Sequence, residues 1–313
     1  MFIVYYHNIL PGPLDPYDQR SSRLSAKSFA RQVDYLVKRL RPVSLPAMLE
    51  QWREGRADPK SVAFTFDDGF QGVLDHALPI LKAKGIPASV FVVTKRLEPP
   101  DHQLFHFDEI EIACRLTRRR SLKMPFLGPL PYPMASRWGR AWTLKRIKRR
   151  LKVLEEEERG RWHERVLAEL GVTVDECRAY ALGQEKYRTL DTAGLHRLID
   201  AGWTIGSHTR THRTVSRLAA DDLRSEIAGS HADLQRHLGL RDIPFAYPYG
   251  DAEHISGDAR AAIEQAGYQC ALTTIRGSIL DDGDPFALRR MNFQQLRSTL
   301  RSWKFRRNTY PRV

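Results

Sequence analysis

Three short polar clusters in this 313-residue chain carry residue types able to hydrolyse a bond. Asp67 and Asp68 stand side by side, straight after the apolar run Val62-Ala63-Phe64-Thr65-Phe66. His208 and His212 are spaced i, i+4 in Ser207-His208-Thr209-Arg210-Thr211-His212, so one helical turn would put both imidazoles on one face. His7 closes the run Phe2-Ile3-Val4-Tyr5-Tyr6. Ionised carboxylates beside a core strand are costly unless paired or metal-bound, which weighs against an ordinary Asx turn at Asp67-Asp68. Two imidazoles and a carboxylate make a triad that leaves positions open on a divalent ion. Such an ion polarises a carbonyl and acidifies water, and a second carboxylate in reach can take the proton. The chemistry within reach is metal-assisted hydrolysis.

Strands and helices must position these groups. Strand-like runs fall at 2–6, 62–66, 88–93, 203–206, 245–247, 270–274 and 286–291. Amphipathic stretches at 26–40, 46–53, 72–84, 191–201, 219–238 and 258–266 lie between most of them. Pro46 suits a first helical turn, and Gly85, Gly202, Gly239 and Gly267 sit where four of the helices should stop. Strands separated by helices predict an α/β protein with a parallel sheet. Seven strands suit an imperfect (β/α) barrel better than an open doubly wound sheet, although alternation alone also fits the latter. In a barrel, catalytic groups gather at the C-terminal strand ends. His7, Asp67-Asp68, His208 and Pro248-Tyr249-Gly250-Asp251 all directly follow strand-like runs.

Thr65-Phe66-Asp67-Asp68-Gly69, His208-Thr209-Arg210-Thr211-His212 and Phe245-Ala246-Tyr247-Pro248-Tyr249-Gly250 resemble the first three signature motifs of the polysaccharide deacetylases, the NodB-homology group or carbohydrate esterase family 4. The resemblance implies a distorted (β/α)7 barrel, a divalent metal, usually zinc, and hydrolysis of an N-acetylhexosamine amide. It implies Asp67 as general base, Asp68, His208 and His212 as metal ligands, and the Tyr249 backbone N–H as donor to the oxyanion, with Pro248 fixing that approach. Aspartate and imidazole would equally accept Co2+, Ni2+ or Fe2+. Two departures stand out. Phe245 occupies the place of an arginine that usually braces the base, and 271–275 lacks the histidine that usually supplies the general acid. Val4-Tyr5-Tyr6-His7 is similar to the N-terminal motif of the circularly permuted branch that includes poly-N-acetylglucosamine deacetylases. His7 is the expected replacement acid, and Arg290 the expected brace, with Arg289 its rival. Asp251 is a candidate for the sugar pocket or a plain turn residue.

The whole chain, 1–313, reads as one domain with a mainly helical, basic insertion at 98–185. Between Arg115 and Arg165 stand sixteen Lys and Arg against five Glu, which accounts for most of the formal net charge of +13. A local patch of that kind suits an anionic lipid or a pyrophosphate-linked sugar better than general nucleic-acid binding. Trp138, Trp142 and Trp162 interleave with it and are expected to form mainly a buried helical face. His76, His102, His106, His163, His196, His231, His237 and His254 lack partner spacing and are expected to face solvent. No apolar run approaches the ~20 residues that span a bilayer. Three scattered cysteines, Cys114, Cys177 and Cys270, argue against a disulfide scaffold. The expected setting is the cytoplasm, with peripheral attachment at the inner membrane face as an option. The expected function is a metal-dependent de-N-acetylase acting on a glycan or on a lipid-linked or nucleotide-linked sugar. A barrel amidohydrolase for a non-sugar amide, or a catalytically silent glycan- or anion-binding protein, are the alternatives.

Overall fold

Alternating burial along the strands decides what the sheet can enclose. The computed structural model describes residues 1–18, 22–97, 104–281 and 283–309, with side chains to 302. His102 and the first residues of the insertion, 98–103, lie outside the described residues. Parallel strands β1 (Phe2–Tyr6), β2 (Ser61–Phe66), β3 (Ala88–Val92), β4 (Thr204–Ser207), β5 (Phe245–Ala246) and β6 (Ala271–Leu272) lie side by side in that order. The short strand Arg41–Pro42 adds to β2 and completes a seven-stranded sheet. The run 286–291, expected as a strand, contributes only two isolated parallel bridges, Leu272 to Leu288 and Val4 to Met291. These bridges curl the sheet round until β6 and β1 share one segment. The result is an α/β barrel, distorted where its last strand is reduced to bridges.

Side chains alternate across the pleat, so each strand sends one set outward and one inward. Phe2, Val4, Val62, Phe64, Phe66, Val90 and Val92 belong to the large outer core beneath the helices. Met1, Ile3, Ala63, Phe91, Ala246, Leu272 and Leu288 pack together inside the barrel. Tyr5, His7, Thr65, Asp67 and Arg290 share the inward parity, so the polar groups continue the interior column beyond its apolar plug. Gly206 is required there, because a Cβ would sit 2.5 Å from the Phe91 ring.

The helices are α1 (Ala26–Val37), α2 (Leu45–Arg53), α3 (Leu78–Lys82), α4 (His106–Leu116), α5 (Arg137–Lys152), α6 (Glu156–Leu170), α7 (Val174–Ala181), α8 (Thr192–Asp200), α9 (Ala220–Leu238), α10 (Gly257–Gln265) and α11 (Phe293–Thr309). Ser25, Ser44, Asp191 and Ser256 cap their helices by accepting from a backbone N–H in the first turn. The helix expected over 72–84 begins instead as a π turn, Val73–Ala77, before α3.

Helices α4 to α7 build a second core of their own, including Ile112, Cys114, Leu144, Ile147, Leu151, Val166, Leu170 and Cys177. The charged stretch 137–170 forms two helices, α5 and α6. Arg149, Arg150 and Lys152 sit in the last turn of α5, and Glu156, Glu157 and Glu158 in the first turn of α6. Each charge block thus meets the helix end whose dipole favours it. The tryptophan expectation fails on packing. Leu144, Ile147 and Leu151 take the buried face of α5, leaving Trp138 72% and Trp142 47% exposed. Trp162 is half-buried and stacks on Phe126. His163 and His254 are buried, against expectation.

Candidate active site

Asp67 follows β2 directly and is 2% exposed. Arg290, fully buried, meets it with both nitrogens of its fork, Nη1 to Oδ1 at 2.8 Å and Nη2 to Oδ2 at 2.9 Å. The guanidinium is itself fixed, with Nε donating to the Thr273 carbonyl at 2.8 Å and Nη1 to Thr65 Oγ1 at 3.3 Å. Arg289 points elsewhere, to the Arg276 carbonyl. Burial alone would raise the Asp67 carboxyl, but Arg290, with His208 and His7, holds it below the usual carboxylate range.

Asp68 adopts a left-handed backbone, φ 73°, which turns its side chain away from that of its neighbour. Its Oδ1 lies 3.6 Å from His208 Nε2 and 3.3 Å from His212 Nε2. Burial pushes the Asp68 carboxyl up, while a hydrogen bond from His212 and the imidazoles of His7, His212 and His208 bring it well below the usual range. His208 Nδ1 lies 2.7 Å from the Ala246 carbonyl, which can only accept. The proton is therefore on Nδ1, and Nε2 presents a lone pair toward Asp68. Burial pushes His208 down to about 4, so it stays neutral. A neutral imidazole, a fixed tautomer and an ionised carboxylate are the donor set a divalent ion requires.

The two histidines do not share a helical turn. Residues 208–212 form a loop in which Thr209 (φ 66°) and His212 (φ 67°) are both left-handed. Glu226 on α9 stabilises this unusual path by accepting from the Arg210 and Thr211 N–H groups at 3.0 and 2.8 Å, and from Thr211 Oγ1 at 2.5 Å. Thr209 Oγ1 accepts from the His212 N–H at 2.9 Å. Nothing in the local sequence marks Glu226, apart from an acid on the buried side of an amphipathic helix.

His7 stands at the end of β1, and its Nδ1 is buried without a hydrogen-bond partner among the described residues. Tyr249 is left-handed (φ 63°), and its ring lies edge-on to His212 at 5.4 Å. Its N–H donates to no group among the described residues. Pro248 is buried and accepts from the Gly250 N–H. Asp251 points to Lys152 Nζ at 3.1 Å and contacts His254.

Helices α4 to α6 complete the surroundings. Phe105 and Phe107 pack edge-on against His212. A cleft of ≈ 660 Å³ between these helices and the barrel ends on His212 and Tyr249 and is walled by Phe105, His106, Arg159 and His163. Asp67, Asp68 and His208 lie behind that end, almost without exposure. Among the described residues, His106 with Glu109 and His163, and Asp251 with Glu253 and His254, are two further groups close enough to hold a cation. Asp68, His208 and His212 stand beside Asp67, a further buried carboxylate that Arg290 fixes.

Fold and site together define a barrel hydrolase with two imidazoles and a carboxylate, close enough to hold a cation, at its C-terminal mouth. The polysaccharide deacetylase family model matches residues 54–112 and 168–271, and the chain belongs to that family, making it a hydrolase of amide bonds, an N-deacetylase. The matched segments hold Asp67, Asp68, His208, His212 and Tyr249, but neither His7 nor Arg290. Among solved structures, the chain is similar to the Streptococcus pyogenes deacetylase PplD in complex with acetate, at 15% identity over 96% of this chain and 97% of that one, TM-score 0.60. It is similar to IcaB from Ammonifex degensii, at 19% identity over 96% and 97%, TM-score 0.56. A de-N-acetylase from Aggregatibacter actinomycetemcomitans aligns at 15% identity over 95% and 98%, TM-score 0.56. At these identities the likeness shows a shared fold. No sequence among the curated proteins matches.

Proposed function

We propose that this chain is a divalent-metal-dependent de-N-acetylase that hydrolyses the acetamide of an N-acetylhexosamine, carried on a glycan or on a lipid-linked or nucleotide-linked precursor. One observation carries the reading. A carboxylate oriented by a buried guanidinium stands next in the chain to a carboxylate within 3.6 Å of two imidazoles.

Asp68, His208 and His212 would hold the ion, Zn2+ by preference, with Co2+, Ni2+ or Fe2+ suited to the same donors. When bound, the ion supplies Lewis acidity toward the acetyl carbonyl and lowers the pKa of water. Asp67 takes the proton of the attacking water, its two oxygens kept in place by Arg290. The unengaged Tyr249 N–H meets the negative charge that develops on the acetyl oxygen, on a backbone held by Pro248. His7, its Nδ1 without another partner, protonates the leaving amine. Asp251, tied to Lys152 and His254, stands at the rim as a sugar-binding candidate. Three buried free cysteines fit a reducing compartment, and we place the enzyme in the cytoplasm, at the inner membrane face. No helix among the described residues is long and apolar enough to cross a membrane. An anionic carrier, lipid or pyrophosphate, suits the basic segment 115–165.

The test pairs metal analysis with acetate release from chito-oligosaccharides and UDP-N-acetylglucosamine. The expected result is about one ion per chain, as a single mononuclear site requires, lost in Asp68→Ala and His212→Ala together with acetate release. Full metal content in both variants, or release only from simple non-sugar amides, would refute the proposal.

A further inference from the structure

Helix α5 divides into two faces that do different work. Leu144, Ile147 and Leu151 are buried in the insertion core. Trp138, Trp142, Lys145, Arg146 and Arg149 follow at spacings of three and four, so they form one outward stripe. The preceding loop lies along the same side. The Tyr132 ring stacks on Trp142 at 5.5 Å, Thr143 Oγ1 donates to the Pro133 carbonyl at 2.9 Å, and the Arg146 guanidinium lies over Trp142 at 5.0 Å. That loop carries Leu130, 73% exposed, eight residues before Trp138, which is 72% exposed.

The cations around this apolar tip are unneutralised. Among the described residues, Arg119, Lys123, Arg137, Lys145, Arg146 and Arg149 are exposed and none has a carboxylate partner. On the flank of the same helix Lys148 pairs with Glu111, and Lys152, which ends the outward stripe, pairs with Asp251. Apart from Lys152, the outer face keeps its charge.

We propose that the outer face of α5, with the tip at Leu130, docks on the surface of an anionic lipid bilayer. Tryptophan and leucine suit the boundary between headgroups and acyl chains, while arginine and lysine keep their charged heads among the lipid phosphates. An exposed aliphatic tip flanked by prolines offers nothing to a nucleobase, which stacks on aromatic faces. The position of the helix gives docking a purpose. Its far end carries Lys152, which contacts Asp251 and lies over the Tyr249 ring. Trp138 and Lys152 are separated by about 21 Å of helix, so a helix lying on the bilayer brings the mouth of the site to the headgroup layer. This purpose rests on the lipid-linked form of the substrate proposed above; the docking itself does not.

The test uses the full chain in vesicle flotation, with phosphatidylcholine alone or mixed with phosphatidylglycerol. Acetate release from a soluble chito-oligosaccharide is assayed in parallel. Wild type is expected to float only with phosphatidylglycerol vesicles and to shift its tryptophan emission to the blue. The double variants Leu130→Ser/Trp138→Ser and Arg146→Glu/Arg149→Glu are each expected to lower partitioning about tenfold or more, with soluble-substrate activity unchanged. Equal flotation of both variants and wild type, indifference to phosphatidylglycerol, or preferential capture of a single-stranded oligonucleotide would overturn the proposal. Vesicle binding without any acetate release would sink the catalytic reading and leave docking intact.

Discussion

Two buried arginine–carboxylate centres serve different ends in this molecule. At Asp67, one carboxylate faces one guanidinium through a symmetrical fork, with no other cation bonded to it among the described residues. At Glu111 on α4, one carboxylate gathers Arg23 at 2.5 Å, Lys186 at 3.0 Å, Arg115 at 3.0 Å and Lys148 at 3.5 Å, with the Tyr187 hydroxyl donating at 3.0 Å. Arg23 also reaches Asp108 and Asp18, and Arg115 reaches Asp15. The second centre is a clasp that ties α4 to the segment between β1 and α1, where Arg23 opens a short strand. Crowding a carboxylate with cations fastens helices together but leaves it no capacity to exchange a proton. A single well-aligned partner fixes direction and keeps the carboxylate available. The difference lies in the number of partners, since both carboxylates are equally buried.

Breaking the first centre at its acid should give the largest effect. Asp67→Asn keeps shape and removes basicity, and we expect kcat to fall about 10³-fold, within the range of general-base losses. Metal content and melting temperature should match wild type; a variant retaining most of its turnover would remove Asp67 from the chemistry. Arg290→Met strands the buried carboxylate and should destabilise the fold by about 3–5 kcal/mol in denaturant titration. A loss below about 1 kcal/mol would mean that the pair contributes alignment only.

Glu111→Gln tests the clasp, with an expected loss of about 2–3 kcal/mol at neutral pH and a marked pH dependence. Burial would raise the Glu111 carboxyl, but Arg23, Lys148, Lys186 and Arg115 hold it far below its ordinary value of 4.5. A depressed carboxylate stabilises the fold above its unfolded pKa, and that stability is lost as pH falls. The gap between wild type and Glu111→Gln should therefore be constant from pH 7 to about 5 and shrink below about 4.5. A gap that widens on acidification would contradict the clasp. Glu226→Gln should have the smallest effect, about 1–2 kcal/mol, with metal affinity weakened about tenfold through the loosened loop. Unchanged affinity would separate loop geometry from the metal site.

Much of this was legible from patterns of period two and from charge. The apolar run into Asp67-Asp68 and the strand into His208 placed both at one barrel mouth, and the family motifs made the architecture plain. The path between His208 and His212 was not legible. Their spacing mimics a helical turn, whereas left-handed Thr209 and His212 depend on Glu226, distant in sequence and unmarked by any local preference. The insertion was opaque for a related reason. His163 is buried because Glu109 faces it at 2.8 Å across α4 and α6, a pairing known only once those helices meet. Trp138 and Trp142 misled through composition, because Leu144, Ile147 and Leu151 had already claimed the inner face of their helix.

The segment that carries Arg290 also closes the barrel, bridging β6 at Leu288 and β1 at Met291. Asp67 and its guanidinium are 223 positions apart in the chain. A polypeptide emerging from the ribosome therefore holds Asp67, Asp68, His208, His212 and most of its sheet well before Arg290 exists. Closure of the sheet and alignment of the Asp67 carboxylate are a single event, which waits for the segment around 288–291. A nascent or truncated chain ending short of that segment would be an open sheet with Asp67 unaligned.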